Sequence, residues 1–108
     1  MNVIKILMCC GAGMSSSLLA KQLKKAAGKK GIPCIIEAQS DINIRQRVKN
    51  AHILLIAPHC MHNLNEFNKV AKTAGIPIYL IPHEIYGMQK GEELLSIVLD
   101  LLNMNEGD

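Results

Sequence analysis

The 108-residue sequence predicts a three-layer α/β domain, a four-stranded parallel sheet with helices on both faces. Three observations lead to it. Four short aliphatic runs are evenly spaced, and each is nearly continuous instead of alternating, the pattern of strands covered on both sides. The stretches between them carry apolar residues at helical spacing. Two of those stretches end on the same punctuation, Gly31-Ile32-Pro33 and Gly75-Ile76-Pro77, where glycine supplies a left-handed helix end and proline prevents resumption.

In chain order, the first strand is expected over residues 3–8. A helix follows over 15–30, with Leu18, Leu19, Leu23, Ala26 and Ala27 as its apolar stripe. The second strand covers 34–38. After Asp41, Ile44 and Val48 mark a shorter helix of about two turns. The third strand covers 53–57, and a helix over 62–74 presents Leu64, Phe67, Val70, Ala71 and Ala74. The fourth strand covers 76–81, and a last helix over 92–102 presents Leu94, Leu95, Val98, Leu101 and Leu102. The order β-α-β-α-β-α-β-α requires right-handed crossovers in a parallel sheet. One domain over 1–104 accounts for all of it and leaves a polar tail at 105–108. Ligands of such sheets sit beyond the carboxyl ends of the strands, so the informative loops follow Met8, Ala38, Ala57 and Ile81.

Composition narrows the function. Aromatic residues make up 3%, too few for base-stacking platforms, and a net charge of +3 does not argue for nucleic acid. Lys21, Lys24, Lys25, Lys29 and Lys30 read first as the solvated face of one helix, with an acidic partner as the alternative. No apolar stretch reaches membrane-spanning length, and the opening residues read as a strand and not a signal peptide. Four cysteines without an export signal are expected as reduced thiols, which places the chain in the cytoplasm.

The chemistry concentrates after the first strand, in Cys9-Cys10-Gly11-Ala12-Gly13-Met14-Ser15-Ser16-Ser17-Leu18. Gly11 and Gly13 allow close backbone approach, and Ser15, Ser16 and Ser17 suit a helix start. A helix N-terminus attracts a phosphate dianion and lowers the pKa of a nearby thiol. A nucleophile within a phosphate cradle is what phosphoryl transfer through cysteine needs. The loop lacks the Gly-Lys-Ser/Thr of a Walker loop and the third glycine of a dinucleotide fingerprint. It resembles the phosphate loop of low-molecular-weight tyrosine phosphatases, and that resemblance implies their flavodoxin-like topology with strand order 2-1-3-4. Where they carry arginine, this chain has Ser15 or Ser16, so the guanidinium that clamps a hydrolytic transition state is missing. A phosphocysteine here should form and hydrolyse slowly, which favours a carrier over a hydrolase.

The segment from Leu7 through Leu19 resembles the active-site loop of the IIB components of the lactose/cellobiose (lactose–chitobiose) family of the bacterial phosphotransferase system. The resemblance extends to residues 33–38, to 50–58 and to Tyr86-Gly87. It implies that Cys10 takes a phosphoryl group from phosphohistidine of a IIA partner. Cys10 would pass it to a sugar, a β-disaccharide such as cellobiose, chitobiose or lactose, held by the membrane IIC partner. Backbone N–H groups from Gly11, Ala12, Gly13, Met14, Ser15, Ser16 and Ser17 would hold the phosphoryl group, with no metal or other cofactor. Ala57-Pro58-His59 stands where the family has Gly-Pro-Gln, Ile81-Pro82 where it often has Ile-Asp, and Lys90-Gly91 where it often has Asp-Gly.

His59 is the auxiliary candidate, since in the order 2-1-3-4 its loop lies beside that of Cys10 and a titratable ring replaces an amide. Cys9 reads as the last inward residue of the first strand and Cys34 as core. His59, Cys60 and His62 cluster in sequence, but neighbours on an extended loop point apart and no fourth ligand is suitably spaced. The alternatives are a cysteine-dependent phosphatase or reductase on the same loop, and a non-catalytic regulatory domain. A monomer is the expected state in isolation.

Overall fold

The computed structural model describes residues 3–9, 14–40 and 43–103, with the backbone alone at 14–17 and 61–62. Strands β1 (Ile4–Cys9), β2 (Cys34–Gln39), β3 (Ile53–Ile56) and β4 (Ile78–Leu80) form one sheet in the order β2-β1-β3-β4. All three pairings are parallel, as predicted. The helices are α1 (Met14–Lys29), α2 (Ile44–Arg47), α3 (Leu64–Ala74), α4 (His83–Gly87) and α5 (Gly91–Leu101). A 3₁₀ turn at Val48–Asn50 extends α2, and another at Pro58–Asn63 leads into α3.

The aliphatic runs of the sequence become two cores. Because successive strand residues point to opposite faces, Ile4, Ile6 and Met8 of β1 join Ile53 and Leu55 of β3 on one side. There they pack against Leu19, Leu23, Ala26 and Ala27 of α1 and Leu94, Leu95, Val98 and Leu99 of α5. Leu7, Cys9, Leu54 and Ile56 face the other side and meet Ile44 and Val48, Phe67 and Ala71. Thus α1 and α5 cover one face while α2 and α3 cover the other. The central strands are buried on both faces; β2 and β4, at the edges, are only half-buried, and Ile35 on β2 is exposed.

Both glycine-proline junctions close as expected. Gly31 and Gly75 have φ of 69° and 73°, the left-handed region that glycine enters without steric cost. The Ile32 N–H then donates to the Ala27 carbonyl at 2.9 Å, and the Ile76 N–H to that of Ala71 at 3.1 Å. The carbonyls of Pro33 and Pro77 accept from Ile4 and Leu54, both at 3.0 Å, so each junction hands its chain directly to the ladder. This is why β4 begins at Ile78 and not Ile76: the Ile76 N–H is spent on the helix end.

Three details differ from the sequence reading. Leu18, placed in the stripe of α1, is 46% exposed; Leu101 of α5 is exposed as well, while Leu99 takes the core position. A fifth helix, α4, lies between β4 and α5, and at five residues it is too short to show periodicity. Lys90, between α4 and α5, ties them together: its ammonium donates to Glu84 Oε1 at 2.9 Å and lies 3.7 Å from Glu93 Oε1. The hydrogen bond to Glu84 and the charge of Glu93 hold the Lys90 pKa above the ordinary lysine value.

Helices α1 and α5 meet where Gly91 abuts the Gln22 backbone. A Cβ at Gly91 would lie 2.5 Å from both the carbonyl carbon and oxygen of Gln22, atoms that cannot swing aside. Gly28, inside α1, has nothing within 4 Å of its would-be Cβ. Gly91→Ala should therefore cost about 1–3 kcal/mol through overpacking. Gly28→Ala should stabilise by about 0.5–1 kcal/mol through helix propensity and reduced unfolded-state entropy. Urea midpoints at unchanged m-value check both; a neutral Gly91→Ala would mean that the helices separate at little cost.

Candidate active site

All strands of a parallel sheet end at one edge, and β1, one of the two central strands, ends there at Cys9. Cys9 is fully buried, pairs with Gln39 of β2 on one side and Ile56 of β3 on the other, and accepts a hydrogen bond from the Ala57 N–H at 3.0 Å. The chain from β1 runs through α1 to β2, while the chain from β3 runs through α3 to β4 on the opposite face. The crevice between the ends of β1 and β3 is therefore the topological switch point, where open α/β sheets bind ligands.

Cys10, Gly11, Ala12 and Gly13 connect Cys9 to Met14 and lie outside the described residues. The frame on either side is in place. Met14, Ser15, Ser16 and Ser17 form the first turn of the 16-residue α1, whose leading N–H groups have no acceptor within the helix. The first turn contains no acidic side chain, so no carboxylate of its own opposes the positive end of the helix dipole.

Across the crevice, the chain leaving β3 turns sharply. The Cys60 N–H donates to the Ala57 carbonyl at 2.9 Å, a turn opened by Pro58. Pro58 and Cys60 are buried and His59 between them is exposed. Adjacent His59 and Cys60 therefore point apart, and among the described residues no group of three or more His, Cys, Asp or Glu side chains converges to hold a metal. His83, at the start of α4, is exposed. Tyr86 of α4 meets the His59 ring edge-on, with centroids 5.5 Å apart and planes at 67°. Tyr86 also touches both cores, so the α4 segment absent from the sequence reading is what braces the exposed histidine. Its signals were Pro82 at the N-cap and Glu84 in the first turn.

A third border lies at the end of β2. Gln39 Nε2 donates to Glu37 Oε2 at 2.8 Å, and Asn43 Nδ2 donates to Gln39 Oε1 at 3.2 Å. The Arg47 guanidinium pairs with Glu37 at 2.8 Å. These contacts escaped the sequence reading because they cross the turn from β2 to α2, where no periodic pattern marks them; the β1–β2 register then sets Gln39 beside Cys9.

The chain matches the family model of the "PTS system, Lactose/Cellobiose specific IIB subunit" over residues 5–96. It is 33% identical over 103 residues to the "PTS system galactose-specific EIIB component" of Lactococcus lactis subsp. cremoris, covering 91% of this chain and 95% of that one. It is 31% identical over 98 residues to the "PTS system oligo-beta-mannoside-specific EIIB component" of Bacillus subtilis, with the same coverages. The solution structure of a cellobiose-specific phosphotransferase IIB component from Borrelia burgdorferi superimposes with a TM-score of 0.79 at 33% identity, covering 94% of each chain.

The described thiols differ in accessibility, and alkylation reads that difference. Burial raises the Cys34 pKa above its ordinary value by disfavouring the thiolate, so iodoacetamide at pH 8 should modify Cys34 more slowly than a small-molecule thiol. Cys9 and Cys60, both buried, should react only after unfolding. Peptide mapping with and without urea checks this; native modification of Cys9 at its denatured rate would contradict the packing of β1.

Proposed function

This chain belongs to the lactose/cellobiose-specific IIB family of the phosphotransferase system, a phosphotransferase of sugar uptake, and we propose that Cys10 carries its phosphoryl group. One observation supports the assignment above others: in the chain Cys10 directly follows the buried end of β1, which borders the switch point of the sheet, and precedes the N-terminus of α1 by a few small residues.

In the proposed reaction the Cys10 thiolate attacks the phosphorus of a phosphohistidine on a IIA partner. The S–P bond forms as the N–P bond breaks, and the leaving imidazole nitrogen keeps the electron pair. A hydroxyl of the sugar held by a membrane IIC partner then attacks the same phosphorus. The O–P bond forms, the S–P bond breaks, the thiolate leaves, and the hydroxyl proton passes to a base or to water. Charge on the transferring oxygens would be met by backbone N–H groups from Gly11, Ala12, Gly13, Met14, Ser15, Ser16 and Ser17 and by the dipole of α1, so the reading calls on no metal. Serine at positions 15 and 16 supplies no guanidinium for hydrolysis, which suits an intermediate that must outlive the exchange of partners.

The sugar is proposed as a β-linked disaccharide such as cellobiose, chitobiose or lactose, chosen mainly by the membrane component. Relatives and structures at 31% and 33% identity bear the names of galactose, oligo-β-mannoside and cellobiose, so overall similarity does not select among them. Among the described residues no helix is long and apolar enough to cross a membrane. The chain is proposed to work as a monomer at the cytoplasmic face.

His59 is proposed as an auxiliary group that contacts the phosphoryl group or tunes its lability, supported by its exposure at the switch point and by the bracing ring of Tyr86.

Incubation with phosphorylated IIA protein, read by intact mass, should give one phosphoryl adduct on wild type and on Cys9→Ser, and none on Cys10→Ser. An adduct that persists in Cys10→Ser would move the nucleophile elsewhere. For His59→Gln, the lifetime of the adduct between pH 5 and 8 should differ from that of the wild type. Superimposable profiles would remove His59 from the chemistry.

A further inference from the structure

On the reading that Cys10 is phosphorylated by a protein donor, we infer that the outer face of α1, with Leu18 as apolar anchor and Lys21 and Lys25 as cationic arm, is the docking surface for that donor, and that the donor's face is acidic around an apolar contact.

The stripe is set by helix geometry. Leu18, Lys21 and Lys25 stand at i, i+3 and i+7, on one face of α1. The opposite face buries Leu19, Leu23, Ala26 and Ala27. Leu18 is 46% exposed and sits one turn from the start of α1, at the end nearest the switch point, while the lysines extend about 10 Å away along the axis. An apolar side chain left uncovered beside a reaction centre, with no core role, is what a transient partner would cover.

The charge is one-sided. Helix α1 contains no Asp or Glu in its 16 residues. Lys29 pairs with Glu92 of α5 at 3.6 Å, whereas Lys21, Lys24 and Lys25 have no carboxylate partner among the described residues. Elsewhere Arg45 pairs with Glu66, Arg47 with Glu37 and Lys90 with Glu84, while Lys5, Lys49, Lys69 and Lys72 also lack a carboxylate partner among the described residues and lie off α1. Among the cations without a carboxylate partner, Lys21, Lys24 and Lys25 are the ones on the helix that the loop of Cys10 leads into in the chain.

That placement suits a donor that is itself phosphorylated. A phosphoryl group adds roughly 1.5 to 2 negative charges near neutral pH. Before transfer, those charges lie on the partner, opposite the lysines, and strengthen the encounter. After transfer they are on Cys10, which precedes α1 in the chain, and the partner is less negative. The field that gathers the charged donor thus loosens its hold once the phosphoryl group has moved, and the spent partner leaves.

The test separates docking from chemistry by using the Cys10→Ser chain, which binds without accepting. Titration calorimetry with phosphorylated IIA protein should show Lys21→Gln/Lys25→Gln weakening binding about ten-fold at 50 mM salt and under three-fold at 500 mM. Leu18→Ala should weaken it by a similar factor at both salts, because an apolar contact is not screened. In the Cys10-containing chain, the lysine variant should lower kcat/KM for adduct formation while the yield at saturating donor stays complete. Unchanged affinity in both variants would overturn the surface even where Cys10 still takes the phosphoryl group. Normal docking with no adduct would instead overturn the assignment of Cys10. Lysine-dependent sedimentation with phosphatidylglycerol vesicles, with donor binding unaltered, would transfer the face to the membrane and also overturn the proposal.

Discussion

The structure depends on β1 having a parallel neighbour on each side. That pairing aligns the ends of three strands within hydrogen-bonding distance, and the bond from the Ala57 N–H to the Cys9 carbonyl at 3.0 Å is its last rung. Beyond that rung the backbone of both chains must turn away, because α1 belongs to one face and α3 to the other. A gap at the carboxyl edge is the geometric consequence. The buried side chains of Met8 and Cys9 hold the edge in place, and everything assigned to chemistry hangs from it.

Much of this was legible before any coordinates. Near-continuous aliphatic runs signalled strands covered twice, and the structure divides those of β1, β3 and β4 between two cores by simple alternation, while edge strand β2 packs on one face only and leaves Ile35 exposed. The Gly-Ile-Pro junctions read correctly because a left-handed glycine and a blocked amide leave the chain little choice. Leu18 shows the limit of periodicity. It differs from Leu19 by one step of 100° around the helix, and that step carries it from the core to solvent. Hydrophobic identity alone could not say which of two adjacent leucines faces the sheet.

The borders of the site were less legible, for a different reason. Gln39, Glu37 and Arg47 come together across the turn from β2 to α2, and Tyr86 reaches His59 through a helix of five residues. None of these contacts joins residues close enough in sequence to leave a local pattern, except Gln39 with Glu37. The nucleophile shows the opposite case. Cys10 was selected from the company it keeps in sequence, glycines and serines between a strand and a helix, and it lies among residues outside the described set. What the structure contributes is the frame: a strand end and a helix start of the kind the motif demands.

The same frame bears on why a carrier and a hydrolase can share a loop architecture. A dipole and a ring of N–H groups stabilise a phosphate dianion as well as a transition state, so they lower the energy of both phosphocysteine and its formation. A guanidinium and a placed acid add stabilisation that grows as water attacks, and the serines at 15 and 16 provide neither group. On the proposed reading, the chain accepts and retains a phosphoryl group because its stabilising elements are fixed in the backbone, and it surrenders the group only when an acceptor supplies the missing activation. Selectivity would then reside in which surface is allowed near the crevice. A cationic, partly apolar helix face at its rim is one physical means of making that choice.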